Sequence, residues 1–267
     1  MNLQLQAKTA LVTAGTGGIG FAIVRALASE GAYVAFTGRT QESVSNAMKE
    51  LDRSLTTNSA GHIQGIVADA GTAEGANIVA DQLSDVDVLI NNLGIYESKP
   101  FLDISDQDWE SIFKVNVLSG VRLARFYLPR MLQKNWGRVL FIASEAAITI
   151  PSDMIHYAAT KTALLSIARG LAETTQASSV TVNSILPGPT RSDGIVNFLK
   201  SLSSNSTSSD TEAEAEFFRV HRPTSLLRRL IEADEVANLV AYLASPVSSA
   251  TNGAALRVEG GLITSIV

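Results

Sequence analysis

Residues 9–28, TALVTAGTGGIGFAIVRALA, give the clearest indication of the fold class. Its first five residues indicate a short apolar strand, a glycine cluster follows, and apolar residues with helical spacing begin at Phe21. A strand, a glycine turn and a helix in this order begin a βαβ unit, the context in which G-x-G-x-x-G binds a pyrophosphate. Glycines permit a tight turn and a close approach of the backbone, and the helix N-terminus attracts negative charge. The residues predicted to contact a dinucleotide here, unless the turn binds no ligand, are Gly15, Thr16, Gly17, Gly18 and Ile19.

The same alternation of apolar runs and helical patterns continues along the chain. Further strands are predicted at 32–37, 63–68, 86–90, 137–143, 180–186 and 254–258. Helical patterns cover 41–55, 72–84, 106–134, 153–176 and 232–244, and the pattern at 106–134 is expected to be interrupted at Pro129. The sequence therefore predicts an α/β fold: a single doubly wound, Rossmann-type domain over residues 1–267, with a seven-stranded parallel sheet and helices on both faces.

Composition excludes several classes of protein. The 267 residues carry a net charge of −5, which provides no basic surface for nucleic acid, and 46% are hydrophobic, which is enough for a large core. Cysteine is absent, so disulfides and thiolate catalysis are excluded. No signal peptide, long apolar run or clustered metal ligands are visible. A cytoplasmic protein without nucleic-acid, membrane or metal partners is expected.

The residues after the second predicted strand indicate which dinucleotide would bind. Proteins that select NAD usually place Asp or Glu there, to bind the ribose 2′-hydroxyl. This chain has Thr37-Gly38-Arg39-Thr40 instead, and a guanidinium suits a 2′-phosphate. NADP is therefore expected rather than NAD, unless Arg39 merely begins the next helix in solvent.

Two further strand ends carry residues suited to turns or ligand contacts. Asp69-Ala70 follows the third strand, where the carboxylate either caps the next helix or reaches an adenine amino group. Asn91-Asn92-Leu93-Gly94 follows the fourth strand, and asparagines followed by glycine suit both a turn and a close backbone approach to a ligand. Both ends are expected at the carboxyl edge of the sheet, over which a dinucleotide would lie.

The stretch SEAAITIPSDMIHYAATK, residues 144–161, carries a candidate proton-transfer site. Tyr157 and Lys161 are four residues apart and would share one face of a helix, with Ser144 thirteen residues before the tyrosine. The neighbouring ammonium is expected to lower the tyrosine pKa from its usual value near ~10 toward the range that acid–base catalysis needs. The serine hydroxyl could hold a substrate oxygen against the phenol. By itself, this spacing also fits an ordinary Tyr–Lys surface contact.

Together and in this order, the motifs resemble those of the short-chain dehydrogenase/reductase family over nearly the whole chain. The family pattern T-G-x-x-x-G-I-G appears at 13–20, with Ala14 at the position of the first glycine. The family pattern N-N-A-G appears at 91–94, with Leu93 in place of alanine. Asn116 lies in the middle of the helical pattern 106–134, which suggests a polar task or a bend.

The resemblance assigns roles to individual residues. The catalytic set of the family matches Asn116, Ser144, Tyr157 and Lys161. The residues implied to bind the cofactor, beyond the glycine turn, are Gly38, Arg39, Thr40, Asp69, Ala70, Asn92, Gly94, Tyr157, Lys161, Pro187, Gly188 and Thr190. Thr190 is the hydroxyl expected to meet the nicotinamide carboxamide.

The resemblance implies hydride transfer between nicotinamide C4 and a carbonyl or alcohol carbon. Ser144 would hydrogen-bond the carbonyl oxygen, and Tyr157 would protonate the developing alkoxide. Lys161 would lower the tyrosine pKa and bind the ribose, and Asn116 would hold a water that connects the lysine to solvent. The segment 193–225, with its serine-rich centre, would form a substrate-binding excursion or lid, with short helices on either side of a flexible tip. A homo-oligomer, dimer or tetramer, is also implied.

Several functions stay open at this point. The first is an NADP(H)-dependent carbonyl reductase similar to 3-oxoacyl-thioester reductases, and the second is a dehydrogenase of sugars, polyols or other alcohols that uses NAD. A third is a catalytically silent regulator that binds a dinucleotide, against which the complete Ser-Tyr-Lys set argues. A Ser-His-Asp hydrolase built on Ser144, His156 and Asp153 lacks the G-x-S-x-G context and is not expected.

Overall fold

The computed structural model describes residues 2–55, 63–192, 194–195, 199 and 209–266. Within these ranges, one sheet of seven parallel strands has the order β3-β2-β1-β4-β5-β6-β7, which confirms the predicted sheet. The strands are β1 Thr9–Val12, β2 Tyr33–Gly38, β3 Ile63–Val67, β4 Val88–Asn91, β5 Gly137–Ile142, β6 Val180–Pro187 and β7 Ala255–Val258. Strands β4, β5 and β6 are buried along their whole length, because helices cover both faces of the sheet.

Helices cover both faces of this sheet. The α-helices whose bounds the structure describes are α1 Gly18–Ser29, α2 Gln41–Ser54, α3 Ala73–Gln82, α4 Asp106–Phe113, α5 Ser119–Gln133, α6 Ile155–Glu173, α7 Asp210–Val220 and α8 Ala233–Ala244. One apolar cluster joins α1, α2 and α8 to the sheet, and a second cluster joins α3, α5 and α6 to it. Fully buried residues such as Leu27 in α1 each contribute roughly 1.5–3 kcal/mol to this packing. The single α/β domain therefore has one core on each face of its sheet.

The order of the strands positions the functional site. The sheet grows in one direction through β1, β2 and β3 and in the other through β4 to β7, and Val12 of β1 lies opposite Ile90 of β4. The chain therefore leaves the carboxyl ends of β1 and β4 toward opposite faces of the sheet. In open parallel sheets, ligands bind in the crevice that forms at such a point.

The interruption of the pattern at 106–134 lies elsewhere than predicted. Pro129 is inside α5, which continues through it, whereas a π-helical segment, Lys114–Leu118, separates α4 from α5. The flanking residues Leu123, Tyr127 and Met131 are buried in the second core, and this packing holds the helix on both sides of the proline. Asn116, whose position in the pattern suggests a polar role or a bend, lies in this π-helical segment.

The excursion after β6 has a small core of its own. Its described part contains α7, from which Phe217 and Phe218 pack with Leu199 and Leu230. The predicted flexible tip lies outside the described residues, as does most of the short helix expected before it. Among the helices that the structure describes, none is long and apolar enough to cross a membrane.

Candidate active site

A cavity of about 360 Å³ opens at the carboxyl edge of the sheet, beside the point where the strand order reverses. Its wall combines the glycine turn after β1, the ends of β4, β5 and β6, and the first turns of α6. The predicted site residues that line it are Gly17, Gly18, Ile19, Asn92, Gly94, Ser144, Tyr157, Lys161, Pro187, Gly188 and Thr190. The structure therefore brings both halves of the predicted site, for cofactor and for proton transfer, to one cavity.

Helix α6 presents the tyrosine and the lysine as the spacing predicts. Tyr157 lies in the first turn and Lys161 one turn later, with Nζ 5.6 Å from the centroid of the phenol ring. Lys161 is buried, and its Nζ donates a hydrogen bond of 3.0 Å to the carbonyl oxygen of Ile142 at the end of β5. The ring of Tyr96 meets that of Tyr157 edge-on, at 6.2 Å between centroids. The tyrosine is thus held between the lysine and a second aromatic ring in the cavity wall.

Burial changes the pKa of both groups, and for the tyrosine the change is opposite to the prediction. Burial raises the pKa of Tyr157 above its ordinary value, hydrogen bonding with Ser144 acts against this, and the charge of Glu145 adds to it. Burial also lowers the pKa of Lys161 to about 8. The predicted lowering of the tyrosine pKa is therefore wrong for the protein alone, because lost hydration is the largest influence on the phenol and raises its pKa. The phenol is protonated throughout the neutral pH range.

Asn116 is fixed by contacts to the loop after β4. Its Oδ1 accepts from the backbone N–H of Ile95 at 2.8 Å, and its Nδ2 donates to the Ile95 carbonyl at 2.9 Å and to Thr160 Oγ1 at 3.0 Å. The side chain is buried and lies close to Lys161, since a Cβ added to Gly94 would be 3.1 Å from Lys161 Nζ and 3.6 Å from Asn116 Oδ1. The described contacts of this asparagine hold the loop and α6 together, and its role toward a water stays a prediction.

The glycine turn exposes backbone to the cavity at Gly17 and contains one strained residue. Ala14, at the position of the family's first glycine, has φ 53°, in the left-handed region that disfavours a side chain. The amide Nδ2 of Asn92 donates to the carbonyl oxygens of Thr13 and Ala14, at 3.0 and 3.2 Å, and so holds the turn. A Cβ on Gly17 would meet no atom within 4 Å, so this glycine faces the open cavity. Gly15 instead packs against Phe36, where a Cβ would be only 2.6 Å away.

The end of β2 adjoins the glycine turn but does not line the cavity. Thr16 lies against Gly38, where a Cβ would be 2.5 Å from its methyl group. Arg39 is exposed, and Thr40 is the N-cap of α2, with its hydroxyl accepting from the N–H of Ser43. An arginine beside the glycine turn fits a dinucleotide that extends from the cavity over β1 toward β2.

At the end of β3, the structure excludes one of the two roles expected for Asp69, the capping of the next helix. Asp69 does not cap α3, since that cap is Thr72, whose hydroxyl accepts from the N–H of Gly75. The carboxylate of Asp69 accepts from the backbone N–H of Gly71 at 3.0 Å and closes a tight turn. Its contact with an adenine, and that of Ala70, stay predictions.

A nicotinamide dinucleotide fits these residues. The glycine turn offers a backbone surface at the N-terminus of α1, which suits a pyrophosphate. Thr190 lines the far side of the cavity, and its hydroxyl donates to the carbonyl of Gly188 at 2.8 Å. Gly17 and Gly18 would hold the pyrophosphate, Lys161 the ribose, and Thr190 the carboxamide.

Glu145 and Arg222 are among the charged residues of the cavity wall that the sequence analysis did not identify. Glu145, directly after Ser144, is buried, and its Oε2 accepts a 2.5 Å hydrogen bond from the serine hydroxyl. Its other oxygen is 3.5 Å from Nε of Arg222, which follows α7. The one signal in the sequence is a carboxylate in the apolar run that leaves β5. No signal in the sequence indicates Arg222, because only the folded chain brings this arginine to the carboxylate.

The structure also removes the geometric basis for a hydrolase. His156 is buried beside Trp109, and its Nε2 is 3.9 Å from a carboxylate oxygen of Glu97. The hydroxyl of Ser144 donates to Glu145 instead of to the imidazole. The serine thus belongs with the tyrosine and the lysine.

Comparisons with known proteins agree with this geometry. Residues 8–201 match the short chain dehydrogenase family model. The chain is 48% identical over its full length to the full length of the uncharacterized oxidoreductase YvaG of Bacillus subtilis (strain 168). It is 29% identical to the 3-oxoacyl-[acyl-carrier-protein] reductase FabG of Aquifex aeolicus (strain VF5), over 98% of this chain and 100% of that one.

The fold is also that of a solved structure of similar size. L-sorbose reductase from Gluconobacter frateurii, solved with NADPH and L-sorbose, superimposes with a TM-score of 0.91 at 24% identity, with both chains covered completely. At this identity the likeness concerns the fold alone. With the family match over most of its length, the chain belongs to the short-chain dehydrogenase/reductase family, whose members are oxidoreductases that bind a nicotinamide dinucleotide.

Proposed function

We propose that this protein is an NADP(H)-dependent oxidoreductase that reduces a carbonyl group to a secondary alcohol. The observation that carries the proposal is that Ser144, Tyr157 and Lys161 line the same cavity as the glycine turn. A proton donor and a dinucleotide site that share one cavity are the two requirements of carbonyl reduction.

The bound cofactor would supply a hydride from nicotinamide C4 to the carbonyl carbon. Tyr157 would donate its phenolic proton to the carbonyl oxygen as the alkoxide develops, and Ser144 would hold that oxygen in place. The raised pKa of Tyr157 keeps the phenol protonated at neutral pH, which supports the reductive direction. The 3-oxoacyl reductase relative supports the same direction.

Lys161 would act through position and charge. Its Nζ lies beside Gly94, within the cavity wall, and is held by the Ile142 carbonyl. From there the ammonium would bind the ribose and stabilise the negative charge that the tyrosine acquires after proton transfer. Asn116 would hold the loop and α6 at the correct separation, and would also keep a water near the lysine.

NADP is the proposed cofactor because of the residues at the end of β2. Gly38-Arg39-Thr40 contains no carboxylate to bind a ribose 2′-hydroxyl, and Arg39 is exposed beside the turn. The guanidinium would bind the 2′-phosphate. The other residues proposed to contact the cofactor are those of the glycine turn from Gly15 to Ile19, with Asp69, Ala70, Asn92, Gly94, Pro187, Gly188 and Thr190.

The described part of the segment 193–225 would cover the substrate. Phe217 and Arg222 line the cavity, and Arg191 pairs with Glu214 of α7 and with Glu232 before α8, each at 2.9 Å. These contacts hold α7 over the cavity, where it would exclude water. A homodimer or homotetramer is part of the proposal, and light scattering of the purified protein tests it.

The experiment that tests the proposal is a panel of carbonyl compounds and alcohols offered with NADPH, NADH and their oxidised forms. The panel contains 3-oxoacyl thioesters, simple ketones, ketoses and polyols, and turnover is followed by the absorbance of the reduced nicotinamide. The proposal predicts NADPH consumption with at least one carbonyl class and slower consumption of NADH. Cofactor binding without turnover of any panel member would contradict it and favour the silent regulator.

A further inference from the structure

Glu145 places a carboxylate inside the cavity, next to the group that is proposed to hold the substrate oxygen. It is 5% exposed and follows Ser144 directly at the end of β5. Burying a carboxylate is costly unless donors surround it. A residue of this kind in the wall of a substrate cavity requires a reason.

The position of the carboxylate is fixed from several sides. Glu145 begins a short 3₁₀ turn in which the N–H of Ala146 donates to Ser144 Oγ at 3.1 Å. The backbone carbonyl of Glu145 accepts from the N–H groups of Ile148 and Thr149, at 3.0 and 2.9 Å. The guanidinium of Arg222 lies 3.5 Å from Oε1 and balances the charge. The carboxylate is thus preorganised, with Oε2 directed at the serine hydroxyl.

This arrangement occupies the one proton of the serine. A hydroxyl group has a single hydrogen to donate, and Ser144 donates it to Glu145 Oε2 at 2.5 Å. Ser144 Oγ also accepts from the N–H of Ala146. Because its only hydrogen is directed to Glu145, the serine cannot donate to a substrate carbonyl oxygen in this state. The serine becomes a donor to the substrate only when another donor takes its place at the carboxylate.

We propose that Glu145 selects substrates that carry a hydroxyl group on the carbon next to the reacting carbonyl, and that this hydroxyl replaces Ser144 as the donor to Glu145. The inference rests on the proposed function and narrows its substrate class to hydroxyketones, ketoses among them, with vicinal diols and polyols in the reverse direction. Glu145 is thereby a specificity-determining residue that also controls the hydrogen bond of the serine.

The distances and charges fit a neutral donor at this position. Two hydrogen bonds of ordinary length, about 2.7 Å each, separate the carboxylate from the reacting oxygen through Ser144, so a hydroxyl on the adjacent carbon reaches Oε2. Because Arg222 already balances the carboxylate, no cationic group is needed. The alkyl chain of an acyl substrate would instead remove water from Glu145 without replacing its hydrogen bonds.

The reduction needs only a hydride from the reduced nicotinamide and a proton from Tyr157. The hydride from the reduced nicotinamide forms a C–H bond at the carbonyl carbon, the C=O π bond breaks, and the oxygen takes the proton of Tyr157. The ketone is reduced to an alcohol and NADPH is oxidised to NADP⁺. The neighbouring hydroxyl keeps its own proton and serves only as a donor to Glu145.

The test compares two isosteric substrates, 1-hydroxy-2-butanone and 3-pentanone, which differ by a hydroxyl in place of a methyl group. With NADPH, the wild-type protein is expected to prefer the hydroxyketone in kcat/KM by at least about tenfold, as a hydrogen bond to a charged group implies. In Glu145→Gln, kcat/KM is expected to fall about tenfold for the hydroxyketone and to rise for 3-pentanone, because the weaker acceptor releases the serine. The matched control, Asp153→Asn, removes an exposed carboxylate outside the cavity and should change neither value.

Three other results would overturn the inference, and they distinguish its failure from failure of the proposed reductase. Equal losses of kcat/KM for both substrates in Glu145→Gln would mean that Glu145 has a structural role only. A wild-type protein that prefers 3-pentanone would exclude selection for the hydroxyl, whatever the variant does. Both results would leave the proposed reductase intact. Failure of the wild-type protein to oxidise NADPH with either of these ketones or any carbonyl of the panel would overturn both proposals together.

Discussion

Replacing Lys161 with methionine should make the protein more stable while abolishing turnover. The lysine is buried, and burial lowers its pKa from the ordinary 10.5 to about 8. At 1.36 kcal/mol per pH unit, keeping this ammonium charged at neutral pH costs about 3 kcal/mol of folding free energy. Methionine removes the charge but leaves the Ile142 carbonyl without its donor, which costs about 1 kcal/mol. The expected net gain at pH 7 is about 2 kcal/mol.

The pH dependence has a definite sign. Because the pKa of Lys161 is lower in the folded state, the unfolded chain binds more protons between pH 8 and 10.5. The stability of the wild-type protein therefore rises with pH across this window and carries the full penalty below it. The advantage of Lys161→Met should accordingly shrink as the pH approaches 10.5.

Urea unfolding at pH 7 and near pH 10, without added cofactor, measures both effects. The control is Lys134→Met, which removes a partly exposed lysine that pairs with Asp85 and Asp87 and should change stability by at most about 1 kcal/mol. If Lys161→Met is less stable than wild type by the same amount at both pH values, burial of the lysine does not destabilise the fold. The lysine would then stabilise the fold, and there would be no folding cost for a function to explain.

Two further substitutions test the cofactor site. Ala14→Gly should stabilise the protein by about 0.5–1 kcal/mol, because glycine removes the strain of a side chain at φ 53°; a thermal unfolding midpoint below that of wild type would contradict this. Arg39→Glu should reduce the preference for NADPH over NADH by about tenfold or more, because it replaces the cation that is proposed to bind the 2′-phosphate with a group suited to a ribose hydroxyl. An unchanged ratio of kcat/KM for the two cofactors would show that Arg39 does not contact the 2′-phosphate.

Local patterns were sufficient for the fold and for the core of the site. The glycine cluster at 15–20 and the alternation of strands and helices predict the seven-stranded sheet, because each element carries its own periodicity. The i, i+4 spacing of Tyr157 and Lys161 needs only a helix to bring the two side chains together. Their meeting with the glycine turn follows from the parallel order of the strands, which gathers all their carboxyl ends at one edge.

Features that depend on the environment in the folded state were mispredicted or missed. The tyrosine pKa depends on how much water the fold removes, and burial reverses the effect expected from Lys161. The pairing of Glu145 with Arg222 joins distant parts of the chain and has no periodic signal. Pro129 is tolerated because tertiary packing holds α5 on both sides of it. In each case the tertiary contacts outweigh the local rule.

Turnover and cofactor binding by Tyr157→Phe test directly whether this phenol is the proton donor. The substitution removes one oxygen atom, leaving the ring beside Tyr96 and Lys161 and the glycine turn unchanged. Carbonyl-dependent NADPH oxidation is expected to fall by about a hundredfold or more, while titration calorimetry should still show binding of NADPH. Undiminished NADPH oxidation by Tyr157→Phe would contradict the assignment of this phenol as the proton donor.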